Sequence, residues 1–247
     1  KEKKKTALKI SDIDDHNAPC VFLSDIGKVI VAYSGGHNTD KQMHIRISKS
    51  LENIDAFENV INIDCGGRTT YAQMLYSTNY YYLFFRLDNV AWCYTRSSDL
   101  HKWATPVKLI DASNIQYYVR FVPTDNDSII RMVMYSNPSE GHTEIRQGFI
   151  NTYTGKVRNS DNVTELGTDT QTYSYTKFTV LIPITSGKEN RLFDVAVESS
   201  RETTIAFCTF STRDDSEYYV YKNGNTTKVT NGGNSFSIPK YQGGMSF

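Results

Sequence analysis

Met74-Leu75-Tyr76-Ser77-Thr78-Asn79-Tyr80-Tyr81-Tyr82-Leu83-Phe84-Phe85-Arg86 reads as two strands around a turn. Met74 to Ser77 and Tyr80 to Arg86 are runs of aromatic and apolar residues, and the polar residues between them mark a reversal of the chain. Val90 to Thr95 supplies a third strand, and Ser97-Ser98-Asp99-Leu100-His101-Lys102-Trp103 closes the unit with a polar turn ending in Trp. The same unit recurs. Cys20 to Leu23 pairs with Val29 to Tyr33, Tyr118 to Val122 with Ile129 to Tyr135, and Leu192 to Val197 with Thr204 to Phe210. A sustained helical period is absent, so the expected class is all-β.

Repeats of roughly 40 to 50 residues built from four short strands suggest blades whose sheets pack face to face around an axis. The expected fold is a β-propeller of four-stranded blades. Residues 1–247 are expected to form a single domain of four recognisable blades plus the start of another at Tyr241-Gln242-Gly243-Gly244-Met245-Ser246-Phe247. Because the chain stops there, the propeller is expected to be incomplete or shortened. Arg158 to Thr176 is polar and reads as a loop or inserted connection, followed by the apolar run Phe178 to Ile184.

Lysine plus arginine equals aspartate plus glutamate, 27 each, so no global field favours nucleic acid or an anionic membrane. An acidic ligand must be held by local charges. No apolar run approaches the roughly 20 residues that span a bilayer, so no membrane insertion is expected. Lys1-Glu2-Lys3-Lys4-Lys5 lacks an apolar signal core, yet the first residue is not Met and a processed leader stays open. Cys20, Cys65, Cys93 and Cys208 are dispersed without a C-x-x-C pair. Neither a zinc knuckle nor a redox dithiol is expected, and Cys20, Cys93 and Cys208 read as buried thiols in strands.

Polar groups echo between the first two units. Asp14-Asp15-His16-Asn17-Ala18-Pro19 opens one and Thr70-Tyr71-Ala72-Gln73 opens the other, while His37 and Arg86 follow or close their second strands. In an antiparallel hairpin the start of one strand lies beside the end of the next. Adjacent blades would therefore gather His16, His37, Tyr71 and Arg86 on one rim. Imidazole and phenol can exchange protons and a guanidinium can hold a carboxylate, which suits proton abstraction beside a uronate carboxylate. Each residue also has an ordinary reading: a hydrogen-bonded strand-end His, a packing Tyr among 17, a rim ion pair for Arg86. Asn17, Tyr118, Arg120 and His142 are the expected substrate contacts. Asp14 and Asp15 read as turn caps, with an acid role as the alternative.

Asp14 to Pro19, Ser34-Gly35-Gly36-His37-Asn38, Thr70 to Gln73, Phe84-Phe85-Arg86 and Tyr241 to Gly244 together resemble the BNR-repeat propellers that include ulvan lyases. Ser97 to Trp103 resembles the Asp-box of sialidase-type propellers, one residue short and without Gly. The resemblance implies a secreted or periplasmic polysaccharide lyase whose partner is an acidic polysaccharide. In it His16 and Tyr71 serve proton transfer, while His37 and Arg86 bind and neutralise the uronate. Which of His16 and Tyr71 is base stays open. No cofactor is expected, and a structural metal ion and the oligomeric state are left open.

Two other classes compete. A propeller glycoside hydrolase would need a carboxylate pair, Asp14 or Asp15 with Asp88. A non-catalytic carbohydrate-binding propeller would use its aromatic rim for stacking.

Overall fold

The computed structural model describes residues 17–112, 114–137, 143–196, 202–211, 215–232 and 246. Asp14, Asp15, His16, His142, Val197 and the Tyr241 to Gly244 motif lie outside the described residues. Among the described residues the regular structure is β, with a 3-10 turn at Tyr175–Lys177 and no α-helix. The chain divides into two compact units, residues 1–111 and 112–247.

In the first unit, β1 (Cys20–Leu23), β2 (Lys28–Ser34), β3 (Gln42–Leu51) and β4 (Ile61–Asp64) form an antiparallel sheet in chain order. A second sheet follows the same order with β5 (Thr69–Ser77), β6 (Tyr80–Leu87), β7 (Ala91–Ser97) and β8 (Val107–Asp111). Thr78 and Asn79, with φ of 48° and 65°, make the two-residue turn from β5 to β6. Positive φ at both central positions matches the twist of the flanking strands, and Asn tolerates it well.

Side chains alternate across a strand, so one face of each sheet is apolar. Ile30, Ala32, Met43, Ile45, Ile47 and Ile63 of the first sheet pack on Met74, Tyr81, Leu83 and Phe85 of the second. A backbone hydrogen bond from Thr69 N to Asp40 O (2.8 Å) ties the start of β5 to the loop that leads into β3, while Cys65 N to Lys41 O (3.0 Å) extends the β3–β4 pairing. The Ser97 to Trp103 segment is a structural turn. Asp99 Oδ1 accepts from the backbone N–H of His101 (2.9 Å) and Lys102 (2.8 Å), and the Trp103 indole donates to Leu100 O (2.8 Å). Leu100, at φ 67°, takes the left-handed conformation for which glycine is the usual residue.

The second unit begins with β9 (Tyr117–Pro123), β10 (Ile129–Ser136), β11 (Ile145–Asn151), β12 (Lys156–Arg158) and β13 (Glu165–Thr168), hydrogen-bonded in that order. β14 (Tyr173–Ser174) and β15 (Thr179–Ile182) come next. A last sheet holds β16 (Glu189–Val195), β17 (Thr204–Phe210), β18 (Glu217–Lys222) and β19 (Asn225–Asn231). The stretch from Arg158 to Thr176, expected as a loop or inserted connection, therefore contains strands. Its backbone groups pair: β13 hydrogen-bonds β12, while β15 pairs β11 along Ile145 to Gln147 beside the segment β12 takes. Gly148 marks the junction, where an added Cβ would lie 2.4 Å from the Phe178 ring. The core joins Val122, Val133, Tyr135, Ile145 and Ile182 to Leu192, Val195, Ile205 and Phe207.

All four expected hairpins form, and the protein is all-β, built from antiparallel sheets of the propeller-blade kind. The four cysteines are free thiols. Cys65, Cys93 and Cys208 are buried, and loss of solvation pushes each thiol up to about 12. Cys20 is half-buried, and burial raises it as well.

Candidate active site

The first unit departs from regular sheet geometry at Tyr71. Thr70 pairs with Arg86 and Gln73 with Phe84, leaving Tyr71 and Ala72 opposite Phe85 alone. This is a β-bulge, and it re-aims a side chain out of the regular alternation. Tyr71 has φ 56°. For a side chain of this size the left-handed region costs about 1–2 kcal/mol, so the surrounding contacts must hold it there.

Two of those contacts are large. The Arg86 guanidinium carbon lies 4.5 Å from the centroid of the Tyr71 ring. The Trp92 ring stacks on Tyr71 at 6.4 Å and 20°. Arg86 stands opposite Thr70 on β5 and opposite Trp92 on β7, so one row across three strands builds the cluster. Arg86 is only 1% exposed. A buried guanidinium requires acceptors, because the lost hydration of a charge is otherwise unbalanced.

The Asn89 side chain is one such acceptor. Arg86 Nη2 donates to Asn89 Oδ1 at 2.9 Å, and Asn38 Nδ2 donates to the same oxygen. Asn89 lies in the turn from β6 to β7 at φ 68°, and Asn38 in the loop from β2 to β3 at φ 51°. Both exploit the ease with which Asn enters the left-handed region. This amide chain runs from the first sheet's loop to the second sheet's cation. The loop also carries His37, which is half-buried and next to Asn38. Below it, Ser34 Oγ lies 3.4 Å from Asn17 Oδ1 and 3.5 Å from Gly36 O.

Of the expected residues, Tyr71 and Arg86 are in contact, and the loop bearing His37 is tied to the Arg86 turn through Asn38. Asn17 is buried at the foot of that loop. Tyr118 and Arg120 belong to the second unit. Tyr118 stacks on Tyr135 at 5.3 Å and its hydroxyl lies 3.5 Å from Asn137 Nδ2, whereas Arg120 is exposed. His16 and His142 are outside the described residues. Sequence reasoning gave no role to Asn38, Asn89 or Trp92; the Asp88-Asn89 dipeptide between two strands was the signal for a left-handed turn residue at this spot.

Asp88, a candidate hydrolase acid, is occupied structurally. Its Oδ1 accepts from Arg68 N at 2.9 Å, and its own N–H donates to Arg68 O at 2.8 Å. Among the described residues no group of three or more His, Cys, Asp or Glu could hold a metal ion. What the cluster offers is a permanent cation fixed against a phenol and held by the amides of Asn89 and Asn38.

No family model matches the chain, and no curated protein matches it. Among solved structures, it is similar to an ulvan lyase described as a new polysaccharide lyase family, PL25, bound to -[GlcA(1-4)Rha3S]-. The TM-score is 0.67 at 16% identity, over 95% of this chain and 61% of that one. A second structure of that PL25 ulvan lyase gives a TM-score of 0.67 at 17% identity, with the same coverage. The likeness shows a shared all-β fold. This chain spans 61% of the length of the lyase chains it matches.

Proposed function

We propose that the protein is a polysaccharide lyase that cleaves a uronate-containing, ulvan-like acidic polysaccharide by β-elimination, acting outside the cytoplasm as a secreted or periplasmic enzyme. The observation that carries this reading is the Tyr71–Arg86 contact, made at a left-handed bulge and locked by Asn89. Strain of this kind clusters at functional sites, where the surrounding structure over-determines it. The shared fold with an ulvan lyase adds support.

In the proposed reaction the sugar's C5–H bond breaks, its electron pair forms the C4–C5 double bond, and the C4–O bond breaks with the leaving oxygen taking a proton. Negative charge builds on the C6 carboxylate as the proton departs. Arg86 and His37 face that charge, and a preorganised cation in a dry site stabilises it without reorganisation. Tyr71 and His16 exchange the two protons, in either assignment. Asn17, Tyr118, Arg120 and His142 remain the proposed substrate contacts. Hydrolysis has less support, because Asp88 is spent on the Arg68 turn.

A panel of uronate polysaccharides tests the proposal. An ultraviolet-absorbing unsaturated product is expected from at least one of them; binding without such product across the panel favours a non-catalytic carbohydrate-binding role instead.

A further inference from the structure

His44 stands near the start of β3, opposite Tyr33 on β2 and Asn62 on β4. Both ring nitrogens are engaged, Nε2 with Asp40 Oδ2 at 2.7 Å and Nδ1 with Asn62 Oδ1 at 2.7 Å. Its ring lies 5.2 Å from that of Tyr33. With both nitrogens occupied and the side chain only 12% exposed, it is poorly placed to take a proton from a polymer. It is well placed to hold Asp40.

Asp40 ends the loop that carries His37 and Asn38, and it is a node. Its Oδ1 accepts from Gln42 N at 3.0 Å, and its carbonyl accepts from Thr69 N at 2.8 Å and Thr69 Oγ1 at 3.2 Å. Thr69 is fully buried and lies two residues before Tyr71. The loop opens with Gly35-Gly36, which gives its backbone maximal freedom when unanchored. Asn38 anchors its middle to Asn89, and His44 anchors its end through Asp40.

We infer that His44 is a positioning residue of the Tyr71–Arg86 site: through Asp40 it fixes the His37 loop against the first residues of β5. The catalytic part of this inference rests on the lyase reading, whereas the structural part does not.

The test compares wild type with His44→Ala and His44→Gln, whose amide can still donate to Asp40 from the Nε2 position. Hydrogen exchange at the Thr69 amide reads the anchor directly, and lyase kinetics read its consequence. In His44→Ala, Thr69 exchange is expected to speed up about tenfold, the effect of losing one charge-assisted hydrogen bond. kcat should fall on the order of tenfold with little change in KM, as misplaced groups do. His44→Gln should restore both. Unchanged Thr69 exchange in His44→Ala, or exchange that Gln fails to restore, overturns the inference. Should His44→Ala not fold, Asn62→Ala takes its place; it loosens the ring from the other side, and a Thr69 amide as slow as wild type would again overturn it. A wild type without turnover on any uronate polymer sinks the lyase reading while the exchange arm still decides the anchor.

Discussion

Replacing Asn89 separates the two jobs its side chain performs. Asn89 Oδ1 accepts from Arg86 Nη2 at 2.9 Å, and Arg86 is 1% exposed, so removing the amide withdraws an acceptor from a buried cation. Hydrogen bonds to charged groups contribute about 1.5–3 kcal/mol. Asn89→Gly removes the amide but keeps the left-handed turn without strain, so its loss should be at least that amount, with the Asn38 hydrogen bond lost besides. Asn89→Ala adds about 1–2 kcal/mol for holding a Cβ at positive φ. Asn89→Asp keeps both acceptor roles and should leave stability intact, but its carboxylate pre-empts the charge of Arg86; kcat should then fall on the order of 10², as when an oxyanion donor is lost. Urea unfolding followed by tryptophan fluorescence reads the right region, because Trp92 and Trp103, the chain's two tryptophans, both lie in the first unit. An Asn89→Gly protein within about 0.5 kcal/mol of wild type, the scale of an ordinary surface substitution, would refute the claim that Asn89 holds Arg86.

Other perturbations follow from the same contacts. Tyr71→Phe keeps the ring against Arg86 and Trp92, so it should cost no more than about 1.5 kcal/mol of stability, yet lower kcat by roughly 10²–10⁴ as a lost proton-transfer group does; equal turnover would remove Tyr71 from the chemistry. His101 Nε2 meets Glu58 Oε2 at 2.9 Å, and that hydrogen bond raises the imidazole above its ordinary 6.5. Its folded value exceeds its unfolded one, so its contribution is full below 6.5 and is lost as pH rises through the raised value. The effect is small because the side chain is 56% exposed, and Glu58→Gln should flatten this part of the pH dependence of the urea midpoint; an unchanged profile would contradict the coupling. Gly148→Ala forces a Cβ to within 2.4 Å of the Phe178 ring. It should destabilise the second unit by about 1–3 kcal/mol, read by hydrogen exchange along β11, and undisturbed protection there would count against the packing described.

The hairpins were legible because alternation and polar turns are local signals: Met74 to Arg86 announced its own reversal. Tyr71 was legible as a rim candidate only through the echo between repeats. Its bulge was not, since Tyr carries none of the usual marks of a left-handed residue and the contacts that hold it come from strands 15 and 21 residues later. Asn38 was visible in its motif, but its partner Asn89 lies 51 residues away, and no local pattern links them. Nothing in the sequence singled out His44, because its partner Asn62 meets it only after β3 and β4 pair. The Arg158 to Thr176 stretch misled for a related reason. Its strand β13 is short and polar, and pairing with β12 rather than apolar alternation makes it a strand.

The mass of the released oligosaccharides tests the central claim most directly. Elimination adds no water, so each cleavage should give one fragment lighter by a water molecule than its hydrolytic counterpart, carrying the C4–C5 double bond, and Arg86→Gln should abolish it. Fragments that have gained water, or a uronate polymer left at its starting length by the intact protein, would contradict β-elimination at the Tyr71–Arg86 site.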